Sequence, residues 1–428
     1  MTVSRQTALS IMERLLRSGD AAGQIDVLRP RPPDAEPLKP RLPAGNDHTP
    51  EGLRRRRETL ASQGVTLDHL ARNDANVDVS TLEGNIENLI GFASLPVGIV
   101  GPLRVNGAYA HDDFYVPMAT TEGALVASYN RGAYAVSRAG GATVLCLTES
   151  VCRAPCFVFD SVIEAAEFLA WALPRFDSFQ AIVDRTSRHC RLVDLRPSVT
   201  GKDVFLSFEY TTGDAAGQNM VTIATQAVCE ELVAQSPVKP RHWFIEGNLS
   251  GDKKATMQGF MYARGKKIVA EARIPAHILE KAVHVKAVQV LEYARISALG
   301  GAQSGSIGVQ GHFANALAGI FIACGQDVAC VAEASVGLTS LDVAQDGALY
   351  ASVSLPNLIV GTVGGGTHVP TARECLDMLD CRGADRARKF AEICAATALA
   401  GEISIVGALA AGHFASAHAK YRHRPTPS

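Results

Sequence analysis

Apolar and polar positions recur with distinct periods along most of the chain after residue 90. Turn residues surround short apolar runs in ASLPVGIVGPLRVNG (93–107), which predicts strands. The segment TTEGALVASYNRGAYAVSRAGG (120–141) predicts a helix whose small apolar residues permit close packing. In PAHILEKAVHVKAVQVLEYAR (275–295), apolar residues follow a helical period on more than one face. We therefore expect one long helix there, central to a core.

Between residues 154 and 242 the pattern changes. SVIEAAEFLAWALPRF (161–176) and GQNMVTIATQAVCEELVAQS (217–236) predict helices. AIVDRTSRHCRLVDLRPS (181–198) and GKDVFLSFEYTTGD (201–214) alternate as strands do. The order helix, two strands, helix is typical of a small inserted α+β domain. The chain then ends in a predicted helix over 400–423.

The N-terminal region is different in character. Residues 4–19 predict a short amphipathic helix, and the proline-rich residues 28–50 predict an extended linker or wrapping arm. The basic run Arg54–Arg57 is interpreted as the solvated face of a helix. The first 20 residues lack the apolar core and cleavage site of a secretory signal, so we expect a cytoplasmic protein.

Composition excludes several classes of function. The chain has 428 residues and a net charge of −2, which gives no general attraction to nucleic acid or to an anionic membrane. No apolar run reaches the roughly 18 residues of a membrane span, so no membrane association is expected. Ten cysteines are scattered without a CxxC pair. They predict buried, reduced thiols and no metal site.

Two glycine-containing segments are candidates for a nucleotide site. In IVGTVGGGT (359–367) an apolar strand runs into glycines, which lets backbone approach a phosphate or nicotinamide, although such segments are more often plain turns. In TTGDAAGQN (211–219) a strand is followed by the N-terminus of a helix. This N-terminus could bind a phosphate, or Asp214 or Asn219 could simply cap it. No Rossmann signature accompanies them.

The acid–base candidates stand among small or apolar residues, where burial shifts pKa values. They are Glu122, Asp252, Lys253, Lys254, Asp327, His413 and His418. Singly, each is more often a cap or a paired core group, and a buried Asp327 would need a positive partner. Together they provide the acids and the cation that protonate and stabilise an oxyanion.

Seven segments, in order, carry a family resemblance. They are ENLIGFASLPVGIVGPL, MATTEGALVASYNRG, DAAGQNMV, GDKKA, HFANALAGIFIACGQD, GTVGGGT and LAGEISIVGALAAGHFASAH. They resemble the successive signature blocks of soluble, NADPH-dependent hydroxymethylglutaryl-CoA reductases, and the likeness runs from Arg54 to His418. It implies an α/β (α+β) fold with a large domain around a long central helix, matched to Ile278–Arg295, and an inserted ferredoxin-like domain.

The resemblance also implies domain boundaries and an assembly. Residues 1–53 would form an N-terminal helix and arm, and residues 54–153 with 243–428 the large substrate-binding and dimerisation domain. Residues 154–242 would form the small NADPH-binding domain. A homodimer or a dimer of dimers is expected, because the family's active site lies at a dimer interface.

By the same resemblance, four residues are catalytic. Lys253 would stabilise the alkoxide formed from the thioester, and Asp327 would keep Lys253 charged and link it to Glu122. Glu122 would protonate the aldehyde oxygen, and His418, not His413, would protonate the departing CoA thiolate.

Binding residues carry over as well. The NADPH positions are Ser187, Arg188, Asp214, Gly217, Gln218, Asn219, Gly364, Gly365 and Gly366. The substrate positions are Arg153, Glu246, Lys254 and Asn315. Gln218 replaces the family's frequent methionine. Glu246 replaces a serine, and Ile296, beside Arg295, replaces a lysine that binds the substrate carboxylate.

Three functions remain open from the sequence. The first is NADPH-dependent reduction of hydroxymethylglutaryl-CoA to mevalonate and CoA. The second is the same chemistry on another CoA-bound or carrier-bound acyl thioester. Glu246 favours this one unless Arg295 neutralises it. The third is a non-catalytic acyl-CoA sensor, against which the retention of Glu122, Lys253, Asp327 and His418 argues.

Overall fold

The computed structural model describes residues 49–62, 78–262 and 264–412, together with residues 43 and 47. The chain divides into two compact units, Met1–Phe92 and Ala93–Ser428. The predicted helix at 4–19, most of the proline-rich segment and the candidates His413 and His418 lie outside the described residues.

The first unit contains helix α1 (Pro50–Ser62) and a 3-10 helix over Val79–Leu82. The basic run lies on α1, but the prediction of a solvated face holds only in part. Arg54 is exposed and pairs with two glutamates of its own helix. Arg56 is fully buried, and its Nε donates to the carbonyl of Leu89 at 2.7 Å. A buried guanidinium needs such acceptors, which a charge pattern alone does not reveal.

The second unit alternates strands and helices. Its strands are β1 (Val97–Gly107), β2 (His111–Ala119), β3 (Ala142–Arg153), β4 (Cys156–Val158), β5 (Arg191–Thr200), β6 (Asp203–Thr211), β7 (His242–Phe244), β8 (Gly265–Ile274), β9 (Gly308–Val309), β10 (Gly337–Val343) and β11 (Leu349–Leu358). Its helices are α2 (Leu125–Arg138), α3 (Val162–Ala172), α4 (Phe176–Thr186), α5 (Gln218–Gln235), α6 (Gln258–Met261), α7 (Ala276–Val283), α8 (Ala287–Ser304), α9 (Phe313–Ala323), α10 (Val331–Ala334), α11 (Pro370–Met378) and α12 (Ala387–Ala410).

Strand β3 connects two parts of one sheet. The strand order is β7-β4-β6-β3-β8-β11-β10-β9, with β1 and β2 joined at β3 and β5 joined at β6. The first part of β3 pairs antiparallel with β8, and its last residues, Val151–Arg153, pair antiparallel with β6. The strand therefore runs from one part of the sheet into the other and ends at the candidate Arg153.

Two apolar clusters fill the second unit. The larger one surrounds α12, along which almost every side chain is buried. The smaller one contains buried residues between Val151 and Leu232, with partly buried neighbours as far as Ile245. The mixed α/β class is as expected. The domain at 154–242 stays a prediction, and the extent of the smaller cluster supports it.

The core helix is not the one the sequence pattern indicated. The segment 275–295 forms two helices, α7 and α8, because His284 adopts a left-handed conformation with φ 61°. On α8 only Ala287 and Val290 are buried. The central position belongs to α12, whose start at Ala387 precedes the predicted start at residue 400. A helix buried on all sides carries no amphipathic period, so its N-terminal half was not visible.

Two further expectations need correction. The first part of 181–198 belongs to α4, and the strand begins only at Arg191. Helix α12 is long and apolar enough to cross a membrane by length and composition, contrary to the expectation of no such run. In its most apolar window 83% is buried inside the protein, as in the core helix of a folded domain.

The close packing of α2 on α12 generates a stability prediction. A Cβ at Gly401 would lie 2.2 Å from Cε1 of the fully buried Tyr129. We expect Gly401→Ala to lower the free energy of unfolding by about 1–3 kcal/mol through overpacking, measured by denaturant titration. Gly300→Ala is the control, because a Cβ there meets nothing within 4 Å. Equal stability of the two variants would contradict the packing argument.

Candidate active site

The two adjacent lysines of the GDKK segment point to different partners. Lys253 has a left-handed backbone with φ 56°, which turns the chain between the two side chains. Nζ of Lys253 lies 2.8 Å from Oδ2 of Asp327. Nζ of Lys254 donates to the carbonyl of Asp252 at 2.9 Å. The hydrogen bond with Asp327 raises the pKa of Lys253, so this ammonium stays charged at neutral pH.

The Lys253–Asp327 pair is open to solvent. Each side chain retains 42% of its exposure, so Asp327 has the positive partner considered from the sequence but is not buried. Asp327 follows the end of α9 and also caps the 3-10 helix Val328–Cys330 by accepting the N–H of Ala329. Its other oxygen meets the lysine. An exposed pair of this kind contributes little to stability but remains accessible to a ligand.

Glu122 lies in the turn between β2 and α2. Its backbone N–H donates to Oγ1 of Thr120 at 3.0 Å. Its Oε2 accepts a hydrogen bond from Nδ2 of Asn315, on the first turn of α9, at 3.0 Å. The structure thus brings together two residues predicted for different roles. The predicted link from Glu122 to Asp327 is not among the contacts of the described residues.

A chain of ion pairs lies beneath the lysine loop. Nη1 of Arg153 contacts Oε2 of Glu246 at 3.3 Å and Oδ2 of Asp252 at 3.1 Å. Arg264 contacts Oδ1 of Asp252 at 2.5 Å and Oε2 of Glu333 at 2.6 Å. Burial alone would raise the pKa of Asp252, but the guanidiniums of Arg264 and Arg153 outweigh it and hold the pKa below its ordinary value.

Glu246 is therefore paired inside the protein. Its partner is Arg153, whereas Arg295 pairs with Glu292 on the exposed surface of α8. Of the two alternatives left open by the sequence, neutralisation of Glu246 by Arg295 is therefore not the one that forms. The second oxygen of Glu246, Oε1, is buried and has no hydrogen-bond partner among the described residues. Ile296 is 51% exposed on the same helix as Arg295.

Arg264 and Glu333 were not identified from the sequence. Both are buried, at 4% and 1% exposure. A signal was present for Glu333, which stands alone as a charge in the segment CVAEASVG. A buried carboxylate in such a run requires a cation, although the sequence does not say which one.

The two glycine segments lie side by side. Ala215 and Val363 form a parallel bridge, and the N–H of Thr362 donates to the carbonyl of Asp214 at 2.8 Å. Gly361 is required there, because a Cβ would lie 2.4 Å from the N of Ala216. The predicted nucleotide segments are thus parts of one surface.

Asp214 has a capping role, but on another helix than expected. Its two carboxylate oxygens accept the N–H groups of Asp385, Arg386 and Ala387 at 2.8–3.1 Å, where α12 begins. Helix α5 begins after Gly217, φ 83°, without a side-chain cap. The first N–H groups of α5 therefore remain available to an anion.

The glycine loop also reaches the lysine site. Gly364 and Gly365 both have positive φ. A Cβ added to either of them would meet nothing within 4 Å, so this face of the loop is open. Gly366 packs against Gly325. A Cβ added to Gly325 would lie only 2.3 Å from the carbonyl oxygen of Gly366. Asp327 lies two residues after Gly325 in the chain. A flat ring resting on the glycines would therefore lie near the Lys253–Asp327 pair.

Gln218 joins the start of α5 to the ionic network. Its carbonyl accepts a hydrogen bond from Nη2 of Arg153 at 3.4 Å, and its Nε2 donates to Sγ of Cys330 at 2.8 Å. Ser187 and Arg188 follow α4, where the Ser187 hydroxyl accepts the N–H of His189. Arg188 is exposed, and no contact within the described chain holds its guanidinium.

Chemically, this arrangement combines three elements. A charged ammonium with a fixed carboxylate partner stabilises a developing oxyanion. A helix N-terminus and an open glycine surface fit the pyrophosphate and the ring of a dinucleotide. A third group, Glu122, provides a carboxyl that is hydrogen-bonded and accessible. Within the described residues, no cluster of three potential metal ligands is found.

A family model and individual relatives of known name indicate the same family. The family model for hydroxymethylglutaryl-coenzyme A reductase matches residues 52–423. The 3-hydroxy-3-methylglutaryl-coenzyme A reductase of Methanocaldococcus jannaschii is 41% identical over 362 residues, covering 83% of this chain and 88% of the relative. That of Methanothermobacter thermautotrophicus is 42% identical over 378 residues, covering 87% and 94%.

A solved structure has the same fold. The class II 3-hydroxy-3-methylglutaryl-CoA reductase from Streptococcus pneumoniae, bound to NADPH, superimposes with a TM-score of 0.63 at 19% identity. The match covers 83% of this chain and 96% of that chain. With the family match over most of the sequence, it shows that this chain belongs to the hydroxymethylglutaryl-coenzyme A reductase family.

Proposed function

We propose that this protein reduces the thioester of hydroxymethylglutaryl-CoA to mevalonate and CoA with two equivalents of NADPH. The observation that carries the proposal is the Lys253–Asp327 pair at 2.8 Å, next to the open glycine loop. The family relationship supplies the substrate, since the two archaeal relatives named above bear that activity in their names.

Lys253 stabilises charge on the substrate oxygen. When a thioester carbonyl accepts hydride, its oxygen becomes an alkoxide, and an ammonium about 3 Å away lowers the energy of that state. Asp327 orients this ammonium and raises its pKa. The first reduction gives a hemithioacetal, which releases CoA and leaves an aldehyde. The second gives the alcohol.

Glu122 supplies the proton for the aldehyde oxygen. Asn315 fixes the position of its carboxyl through the 3.0 Å hydrogen bond. The resemblance to the family assigns protonation of the departing CoA thiolate to His418. Without that proton the thiolate would add back to the aldehyde.

The residues around the glycine loop fit NADPH. Gly217, Gln218 and Asn219 present the start of α5 to the pyrophosphate, and Gly364–Gly366 leave space for the ring. Asp214 supports this loop through its cap on α12. Ser187 and Arg188 provide a hydroxyl and an uncommitted guanidinium for a 2′-phosphate. When bound, the cofactor supplies the hydrides.

The substrate carboxylate is assigned to Lys254 and Arg153, and Asn315 borders the acyl group. Because Glu246 is already paired with Arg153, it does not face the substrate as an uncompensated charge. This pairing removes the main objection to hydroxymethylglutaryl-CoA. It also reduces the positive charge available to the substrate carboxylate.

We infer a homodimer or a dimer of dimers in the cytoplasm. Helix α8 exposes Val288, Ile296 and Leu299, each more than half accessible, and neighbouring β10 exposes Leu338. An apolar face of this kind supports covering by a second copy. The ten free cysteines support a reducing compartment. Sedimentation velocity distinguishes the dimer from the dimer of dimers.

The activity and its main cation are tested together. The purified protein is expected to oxidise two NADPH for each CoA released from hydroxymethylglutaryl-CoA, followed by absorbance and thiol titration. Lys253→Ala should lower kcat by about 10²–10³ because it removes the oxyanion partner. Lys254→Ala is the matched control and should chiefly raise the KM for the acyl substrate. Full turnover in Lys253→Ala would refute the assignment, and binding without turnover in the unmodified protein would favour a sensor.

The 2′-phosphate site gives a second test. Arg188→Ala should raise the KM for NADPH about tenfold and narrow the preference over NADH, because a charge-assisted contact is lost. The kcat at saturating cofactor should change little. Arg185→Ala, at a nearby exposed position on α4, serves as the control. An unchanged preference in Arg188→Ala would place recognition of the phosphate elsewhere.

Glu246 gives a third test. Glu246→Ser releases part of the charge of Arg153, and we expect the KM for hydroxymethylglutaryl-CoA to fall about threefold to tenfold, roughly 1 kcal/mol. Glu246→Gln keeps the shape without the charge and should give the same direction of change. A higher KM in both variants would mean that Glu246 contacts the acyl group. That result would contradict the argument that Glu246 withholds the charge of Arg153 from the substrate.

A further inference from the structure

Lys253 has a backbone conformation that side-chain-bearing residues rarely adopt. The left-handed region costs about 1 kcal/mol or more outside glycine, and persists only where surrounding contacts impose it. Here it separates two neighbouring ammonium groups, sending Lys253 to Asp327 and Lys254 to the Asp252 carbonyl. The contacts that impose this conformation therefore decide where the Lys253 charge lies.

One such contact comes from Glu333. The N–H of Lys253 donates to Oε1 of Glu333 at 3.3 Å. Glu333 lies on α10, shortly after Asp327 in the chain, so the segment 327–334 contacts Lys253 twice. Asp327 holds the end of the side chain, and Glu333 holds the backbone. Glu333 is 1% exposed and is therefore out of reach of a substrate.

Arg264 completes the arrangement. Its Nε donates to Oε2 of Glu333 at 2.6 Å, and its Nη2 to Oδ1 of Asp252, the residue before Lys253, at 2.5 Å. Its remaining nitrogen, Nη1, donates to the carbonyl of Cys152 at 2.7 Å. A planar guanidinium with three committed donors has little freedom to move. It ties both Glu333 and Asp252 to the end of strand β3.

We propose that Glu333 and Arg264 are positioning residues that hold Lys253 in its left-handed conformation and so place its ammonium against Asp327. The proposal rests on the proposed function for its catalytic consequence, but not for its geometry. A misplacement of about 1 Å at a reacting centre costs up to about 100-fold in rate. Neither residue touches the substrate, so we expect substitution of either one to lower kcat and to leave the KM values nearly unchanged.

The first test is Glu333→Gln. Glutamine has the same shape but replaces one of the two acceptor oxygens by an NH₂ donor, which would face either the Lys253 N–H or Nε of Arg264. We expect kcat to fall about 10-fold to 100-fold, with the KM values for both substrates changed less than about threefold. Unchanged kcat, or a loss confined to KM, would overturn the proposal.

Glu392→Gln is the matched control. Glu392 is also fully buried, and its Oε2 accepts the backbone N–H groups of Tyr109 and Ala110 at 2.9 and 2.7 Å. The same substitution there removes a buried charge without touching the lysine loop. It should lower the thermal midpoint to a similar degree while leaving kcat within about twofold. A comparable loss of kcat in this control would mean that Glu333 acts only through general stability.

A double-mutant cycle separates positioning from scaffolding. Added to Lys253→Ala, Glu333→Gln should change the residual kcat less than about twofold, because the group through which it acts is already gone. A further tenfold loss would contradict the proposal. Should Glu333→Gln not fold, Arg264→Lys replaces it, since lysine keeps the charge but cannot bridge Glu333 and Asp252. The same pattern of results is expected.

A final measurement does not depend on turnover. The folded protein is acetylated briefly, and peptide fragmentation gives the extent of acetylation at Lys253 and at its neighbour Lys254. Loss of the Asp327 contact should make Lys253 react about threefold faster in Glu333→Gln, while Lys254 reacts as before. An unchanged ratio would overturn the geometric proposal even in an active enzyme. A changed ratio in a protein without reductase activity would instead count against the proposed function alone.

Discussion

The second unit depends on the burial of α12 along almost its whole length. A helix enclosed on all sides must have its first N–H groups and its polar side chains paired inside the protein. Asp214 caps its start, and Glu402 accepts the N–H groups of Gly311 and His312 at 2.7 and 2.8 Å. Glu392 accepts the N–H groups of Tyr109 and Ala110 in the β1–β2 turn. The hydrogen bonds that satisfy this one helix therefore fix three loops, and two of these loops carry candidate binding residues.

The charges of the site fall into an exposed and a buried group. Lys253 and Asp327 remain partly solvated, whereas Arg264 and Glu333 are enclosed. In water an exposed pair is a weak interaction. A bound ligand that excludes water lowers the local dielectric and strengthens the effect of the ammonium on a developing charge. The buried pair, whose environment does not change, maintains the geometry in which this occurs.

Local pattern and motif order predicted much of the fold and site. The strand within 93–107, the helix after Glu122 and the Lys253–Asp327 contact follow from turn signals, period and family resemblance. The break at His284 was not visible, because no glycine or proline marks it. Arg264 and Glu333, which pair with each other, are 69 residues apart in sequence, and the pairing of Glu246 with Arg153 spans 93 residues. Such contacts arise from tertiary packing, to which local propensity is insensitive.

The thiols nearest the site are unreactive. Cys152 precedes Arg153 on β3, and Cys330 follows Asp327 and accepts the Gln218 hydrogen bond. Burial raises the pKa of Cys152 to about 11 and that of Cys330 far above its ordinary value. Thioesters are attacked by thiolates, whose fraction at neutral pH is negligible under these conditions. Both sulfurs are therefore poor nucleophiles toward a thioester at neutral pH.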